Sequence, residues 1–234
     1  MEYDEAPGLR PGMKTVGRRL NTFLGYVTNG LYENYTDVEE SPTSTLGNIA
    51  ISPGDIKYVD QPDANGNYDG RITSDDRVEI GDPWIPEIVY GFGPSMRWKN
   101  WDFSFFFQGQ TNVSLIMENF EPFGERSARG VLAWIADDYW SPDYPNVNAK
   151  HPRLTRLTNN HNMQVSTYWL RDASFLKLKN VELGYSYKKA RFYISGSNLL
   201  TISPFKHWDP EVGTGAGMQY PTQRIFNLGI QMSF

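Results

Sequence analysis

Arg224-Ile225-Phe226-Asn227-Leu228-Gly229-Ile230-Gln231-Met232-Ser233-Phe234 alternates without a break. Phe226, Leu228, Ile230, Met232 and Phe234 share one side. Ile225, Asn227, Gly229, Gln231 and Ser233 share the other. A period of two marks an extended strand with one apolar face and one small or polar face.

Two hairpins upstream repeat this grammar. In the first, from Pro86 to about Asn112, Ile88, Tyr90, Phe92, Met96 and Trp98 oppose Glu87, Gly91, Gly93, Ser95 and Arg97. After a tight turn at Lys99-Asn100, Trp101, Phe103, Phe105 and Phe107 oppose Asp102, Ser104, Gln108 and Gln110. In the second, from about Tyr168 to Ile202 with its turn at Lys188-Lys189, Val181, Leu183, Tyr185 and Tyr187 alternate with Glu182, Gly184 and Ser186. A weaker strand pattern lies within 17–31. Only Val131–Trp140 reads as a helix longer than a turn or two.

The connections are unequal. Two turns are about two residues long, while 33–85, 113–165 and 203–221 are long connections. Following the chain direction, both short turns fall at one end of the strands and every long connection falls at the other. That asymmetry belongs to outer-membrane barrels, with short periplasmic turns and long extracellular loops. Trp98, Trp101, Tyr185 and Tyr187 gather at the turn ends, where an aromatic girdle would meet the lipid–water boundary. The opposing faces carry Gly, Ser, Gln, Asn and charge, which suits a water-filled lumen better than a second apolar layer. The rival architecture is a secreted β-sandwich that binds carbohydrate through loop aromatics.

Composition narrows the classes further. The 234 residues hold 22 Lys and Arg against 27 Asp and Glu, with no basic block, which argues against phosphate-driven nucleic-acid binding. The absence of cysteine excludes a disulfide framework and a cysteine nucleophile. No apolar run approaches the roughly 18 residues of a membrane helix, a test to which barrel strands are blind. Six or seven strands are legible, fewer than the roughly eight with which membrane barrels begin. The expectation is an all-β chain, residues 1–234, forming the C-terminal strands of a larger antiparallel transmembrane barrel.

Several segments carry a family resemblance. Gly54-Asp-Ile-Lys-Tyr-Val-Asp60 precedes an Asp/Asn/Gly loop and Asp75-Asp-Arg-Val-Glu-Ile-Gly-Asp-Pro83. Tyr90-Gly-Phe-Gly93 precedes Trp101-Asp-Phe-Ser-Phe-Phe-Phe-Gln-Gly109. Tyr168-Trp-Leu-Arg-Asp-Ala-Ser-Phe-Leu-Lys-Leu-Lys-Asn-Val-Glu-Leu-Gly-Tyr185 is the most specific; Ser195-Gly-Ser-Asn-Leu-Leu-Thr201, Trp208-Asp-Pro-Glu211 and the last strand complete the set. In this order they resemble the C-terminal region of SusC/RagA-like TonB-dependent outer-membrane transporters of Bacteroidota. The resemblance implies a roughly 22-stranded barrel in the outer membrane that imports glycans or peptides. It also implies a SusD-like surface lipoprotein as lid, and a TonB complex engaging an N-terminal plug and TonB box that lie outside this sequence. Phe226, Leu228, Ile230, Met232 and Phe234 resemble the C-terminal signal read by the barrel-assembly machinery.

Candidate sites are few. Counting Asn65 as position 1 puts Asn67 at 3, Asp69 at 5, Gly70 at the bend, Thr73 at 9 and Asp76 at 12, the ligand spacing of a calcium loop. Asn for Asp at the first two positions and Asp for the final Glu reduce its charge, and an Asx-rich turn explains the same residues. Trp134, Tyr139, Trp140 and Trp208 are aromatics placed to touch substrate or lid, or to pack the loops. His151, His161 and His207 show no metal-ligand spacing, and solvation or simple hydrogen bonding is expected for them. No catalytic motif is present, so an enzyme is not expected.

Overall fold

The computed structural model describes residues 9–118 and 130–233. In chain order its elements are β1 (Phe23–Gly25), β2 (Thr28–Leu31), α1 (Tyr35–Glu40), β3 (Thr43–Ser44), β4 (Ile56–Tyr58), β5 (Arg71–Ile72) and β6 (Val78–Ile80). Then come β7 (Ile88–Phe92), β8 (Ser95–Trp98), β9 (Trp101–Thr111), β10 (Ser114–Ile116), α2 (Ala133–Asp137) and β11 (Leu170–Asp172). The last three strands are β12 (Phe175–Tyr187), β13 (Ala190–Ile202) and β14 (Ile225–Met232). No helix among the described residues is long and apolar enough to cross a membrane. The chain divides into two compact units, one of 1–81 with 116–170 and one of 82–115 with 171–234.

The second unit is an antiparallel sheet in the order β14-β13-β12-β9, with β7 and β8 end to end along the far side of β9. Both anticipated hairpins are present. Their turns put Lys99 at φ 55° and Lys188 at φ 54°, the left-handed conformation that two-residue turns demand. β7 and β8 hold one register, from Ile88 opposite Thr111 to Trp98 opposite Trp101, so they form a single edge strand interrupted at Gly93-Pro94. Proline brings no N–H to a ladder, which an edge tolerates, and its carbonyl still accepts from the Phe105 amide at 3.4 Å. The strand anticipated within 17–31 exists as β1 and β2, but these pair with β6 and β4 in the first unit. The sheet therefore has five strand positions rather than six or seven.

Register turns the alternation into rows. Met96, Phe103, Leu183, Ile194 and Leu228 lie side by side across the sheet, and Trp98, Trp101, Tyr185, Phe192 and Ile230 form the next row toward the turns. These side chains are not covered: Leu228 is 85% exposed, Trp98 69%, Ile194 52% and Leu183 41%. A water-soluble sandwich would bury this face against a second sheet.

One irregularity decides where the upper residues point. Between Leu178 and Asn180, β12 has one residue more than β9, and β13 one more than β12, with Asn198 at φ 55°. An extra residue in one strand is a β-bulge, and it reverses the odd–even sense of the chain beyond it. Below the bulge Val181, Leu183 and Tyr185 share the apolar face. Above it Leu176 and Leu178 take their place, and Phe175 and Lys177 turn to the polar face.

The first unit is built from the two long connections 33–85 and 113–165 and their flanks, and it has a core of its own. Leu31, Tyr32, Ile56, Tyr58, Ile72 and Ile135 are buried. Its strands are short pairs, β1-β6 and β2-β4 antiparallel and β3-β5 parallel. Asn34 caps α1 by accepting from the Asp37 amide at 2.9 Å. The helix expected over Val131–Trp140 shrinks to α2. Trp140 leaves it to pack on Gly54, whose φ of +84° and contact with the indole leave no room for a Cβ.

Candidate functional site

Polar side chains converge on one face of the sheet. Asp102, Glu182, Arg191, Ser104, Ser195 and Asn227 occupy the positions that alternate with the apolar rows. The Arg191 guanidinium pairs with Asp102, with Nε to Oδ1 at 3.0 Å, reaches Glu182 at 2.5 Å and donates to Gln231 Oε1 at 3.2 Å. One side chain thus ties β9, β12, β13 and β14 together. A concavity of about 330 Å³ lies beside it, with Ser95, Ser104, Asn180, Glu182, Ser195 and Ser197 in its lining.

Higher on the same face Lys177 is fully buried. Its Nζ donates to both Asp209 oxygens at 2.7 and 2.8 Å and also pairs with Glu211, which takes a second bond from Lys179 at 2.6 Å. Asp209 caps the short turn Pro210–Val212 by accepting from the Glu211 amide at 3.1 Å. Burial pushes the Asp209 and Glu211 carboxyls up, but hydrogen bonds from Lys177, and for Glu211 from Lys179, outweigh it and hold both below the usual carboxylate range. The 203–221 connection is therefore pinned to the polar face by charge. Trp208 serves that connection: its indole stands edge-on to Phe205 at 4.6 Å, donates to the Gly213 carbonyl at 3.1 Å and abuts Gly217.

In the first unit the anticipated calcium loop folds around a cation that the chain itself supplies. Arg10 reaches Asp76 at 2.7 Å, Asp69 at 2.5 Å and Asp60 at 3.6 Å, and pairs with the Gln61 carbonyl. Asp76 is fully buried and also accepts from the Gln61 amide at 3.0 Å and the Thr73 amide at 2.7 Å. Asn65 and Asn67 are exposed, and their amides are held by Asp63 instead. Among the described residues no three His, Asp or Glu side chains are arranged to hold a metal ion. Arg10 was not singled out by spacing, because it lies 50 residues from the loop it neutralises. Replacing it with Gln leaves Asp76 buried without its counter-charge. The expected loss is on the order of 3 kcal/mol, read as a lower denaturant midpoint, and calcium added to that variant tests whether the loop then accepts a metal.

The other sequence-picked residues scatter. Trp140 is buried, Trp134 is half-buried 6.2 Å from His151, and Tyr139 is 37% exposed. These three belong to the first unit and Trp208 to the second. His151 and His161 are not solvated. Burial lowers the pKa of His151 to about 4 and lowers that of His161, whose ring nitrogens bond the Ile56 carbonyl at 2.7 Å and Ser44 Oγ at 3.1 Å. Phe226, Leu228, Ile230 and Met232 line the exposed apolar side of β14, and Phe234 lies outside the described residues. Lys99 and Lys188 at the turns sit over the rings of Trp98 and Tyr187, at 5.0 and 5.5 Å. A cation beside an aromatic is the residue pair of a membrane boundary.

Comparison with known proteins agrees with this geometry. No family model matches the chain. TonB-dependent receptor P3 of Formosa agariphila is 28% identical over 241 residues, covering 93% of this chain and 22% of that protein. TonB-dependent receptor SusC of Bacteroides thetaiotaomicron is 27% identical over 223 residues, covering 90% of this chain and 20% of that protein. The chain thus spans less than a quarter of the length of these relatives. Among solved structures, the RagAB peptide transporter matches with a TM-score of 0.65 at 25% identity, over 91% of this chain and 23% of that one. In sequence and in fold this chain is similar to the C-terminal region of the SusC/RagA-like TonB-dependent receptors, which are outer-membrane proteins.

Proposed function

We propose that this chain forms barrel wall, lumen lining and outer loops of a TonB-dependent importer of glycans or peptides. A SusD-like lipoprotein would act as its lid, and the TonB complex would act through parts of the protein beyond this sequence. The observation that carries the reading is the two-faced sheet. Rows of uncovered Leu, Ile, Phe and Trp on one side and an ionic, Ser- and Gln-rich surface on the other are what a wall between lipid and water requires. RagAB is named a peptide transporter, which supports the peptide candidate, while the glycan candidate rests on the sequence resemblance. Nothing in the sheet favours the carbohydrate-binding sandwich, which would cover the apolar rows.

Fractionation of the native cell tests the assignment: the protein is expected with the outer membrane, released by detergent, together with a surface lipoprotein. Recovery as a detergent-independent soluble monomer would sink it. Leu183→Arg sharpens the test. Leu183 lies about five residues above the turn, roughly 16 Å along the strand and within the lipid band. The substitution is expected to cost about 2–4 kcal/mol of folding stability in a bilayer. A cost near zero, as for a solvated face, would mean that no lipid touches this row.

A further inference from the structure

The charges under the 203–221 connection do not balance. Lys177 and Lys179 are matched by Asp209 and Glu211 in the bonds described above. Among the described residues, Lys206 and Arg224 have no carboxylate within ion-pair distance, and both line the cavity of about 260 Å³ that this connection encloses against β13. Asn198, Thr201 and Thr222 line it too, as hydrogen-bonding groups. Its one carboxylate, Asp209, is engaged by Lys177 from the wall side. Trp208 lines the cavity as well, with its ring against Phe205 and Gly217. The cavity is left with two uncompensated cations, one a guanidinium able to hold a planar oxyanion through paired N–H groups.

From this surplus we infer that the cavity is an anion subsite, taking a carboxylate group carried by the imported molecule. The inference rests on the import reading and narrows its cargo to molecules bearing negative charge. Arg224 and Lys206 bind the oxyanion, Asn198 and Thr201 accept or donate to its neighbours, and Lys177 keeps Asp209 from competing for the two cations.

The test uses the detergent-solubilised protein from the outer membrane and calorimetric titration with matched ligands. Trigalacturonate is set against maltotriose, and an acetylated Asp-Glu-Asp peptide against its Asn-Gln-Asn counterpart. At low ionic strength the charged member of at least one pair is expected to bind about tenfold more tightly than its neutral mate, and 0.5 M salt should erase the preference, since exposed charges are screened. The pair that shows the effect identifies the source of the anion as an acidic sugar or an acidic peptide. Lys206→Gln with Arg224→Gln should remove the preference. Equal binding within both pairs, a preference insensitive to salt, or one that survives the double substitution would overturn the subsite. Uptake of the neutral members without preference would overturn the subsite alone; residence of the protein outside the outer membrane would overturn the import reading beneath it.

Discussion

Asp55→Ala is expected to unfold the unit built from the two long connections, with a loss of about 3–5 kcal/mol. Asp55 is fully buried and is the hub of that unit. Its two oxygens accept from Arg153 at 2.7 and 3.0 Å, from Asn159 and Asn162 at 2.9 Å each, and from the Ser52 amide at 2.9 Å. Removing the carboxylate strands the buried Asn159 and Asn162 amides, which lie too deep for water to replace the lost acceptor, and takes the counter-charge from the half-buried Arg153 guanidinium. The damage should propagate, because Asn162 also accepts from the Ile56 amide at 2.9 Å and its carbonyl takes the Trp169 indole N–H at 2.7 Å. Denaturant unfolding and protease cleavage within 33–81 and 130–165 measure the effect. Asp55→Asn, which keeps the shape and part of the acceptor capacity, should lose less. A loss below about 1 kcal/mol for the alanine variant would show that solvent reaches the hub. Acid should weaken the same unit: His151 and His161 are held neutral with pKa values below the unfolded value of about 6.5, so stability falls as pH drops through and below that value.

Lys177→Met is the second large effect, and it acts on the pinned connection instead of the whole fold. Methionine fills the space of the lysine stem but leaves Asp209 and Glu211 facing each other without the ammonium that joins them. Loss of one partner from a buried cluster costs about 3–5 kcal/mol, enough to free 203–221 from the polar face while the strands, held by their ladders, remain. Accelerated proteolysis within 203–221 and a changed Trp208 emission report the release. The pH dependence has a definite sign. Asp209 and Glu211 are held lower in the folded protein than in the unfolded chain, so their contribution is complete above the unfolded carboxylate range near about 4 and is lost as pH falls through the lower folded values. The parent connection should stay docked from neutral pH down to that range and release below it. In Lys177→Met the contribution is absent throughout, and a parent-like acid transition in that variant would show that another group controls docking.

The sheet was legible because its strands obey a single periodicity over many residues. Phe226 to Met232 and Trp101 to Phe107 have no competing reading, and the two-residue turns fixed which ends of the strands meet. The bulge was not legible: Phe175 to Lys179 looks like a continuation of Val181 to Tyr187, and nothing local marks the residue at which the alternation reverses. The first unit was hidden for a related reason. Its strands are two to four residues long, too short for a period to register, and its core is assembled from residues about 100 positions apart, such as Asp55 with Arg153 and Ile56 with His161. A loop reading of 33–85 and 113–165 follows from any local signal. The same separation concealed Arg10, whose role depends on a loop that the chain reaches only 50 residues later. Lys177, by contrast, lay inside the most specific family segment, Tyr168–Tyr185. What was missing was its direction, which depends on the bulge.

That reversal gives the upper wall a dependence on counting as well as on composition. From the turn at Lys188 up to Asn180 the chain keeps one phase, and from Leu178 onward it keeps the other. Lys177 takes the polar face and Leu178 the apolar one because one residue separates the two stretches. Dropping any single residue between the turn and the bulge, or adding one, would interchange the two sides for everything beyond it. The lysine would then be delivered to lipid and its two acidic partners left alone, with no side chain altered. The two ends of β12 are coupled in this way through parity, a property that belongs to no residue in particular.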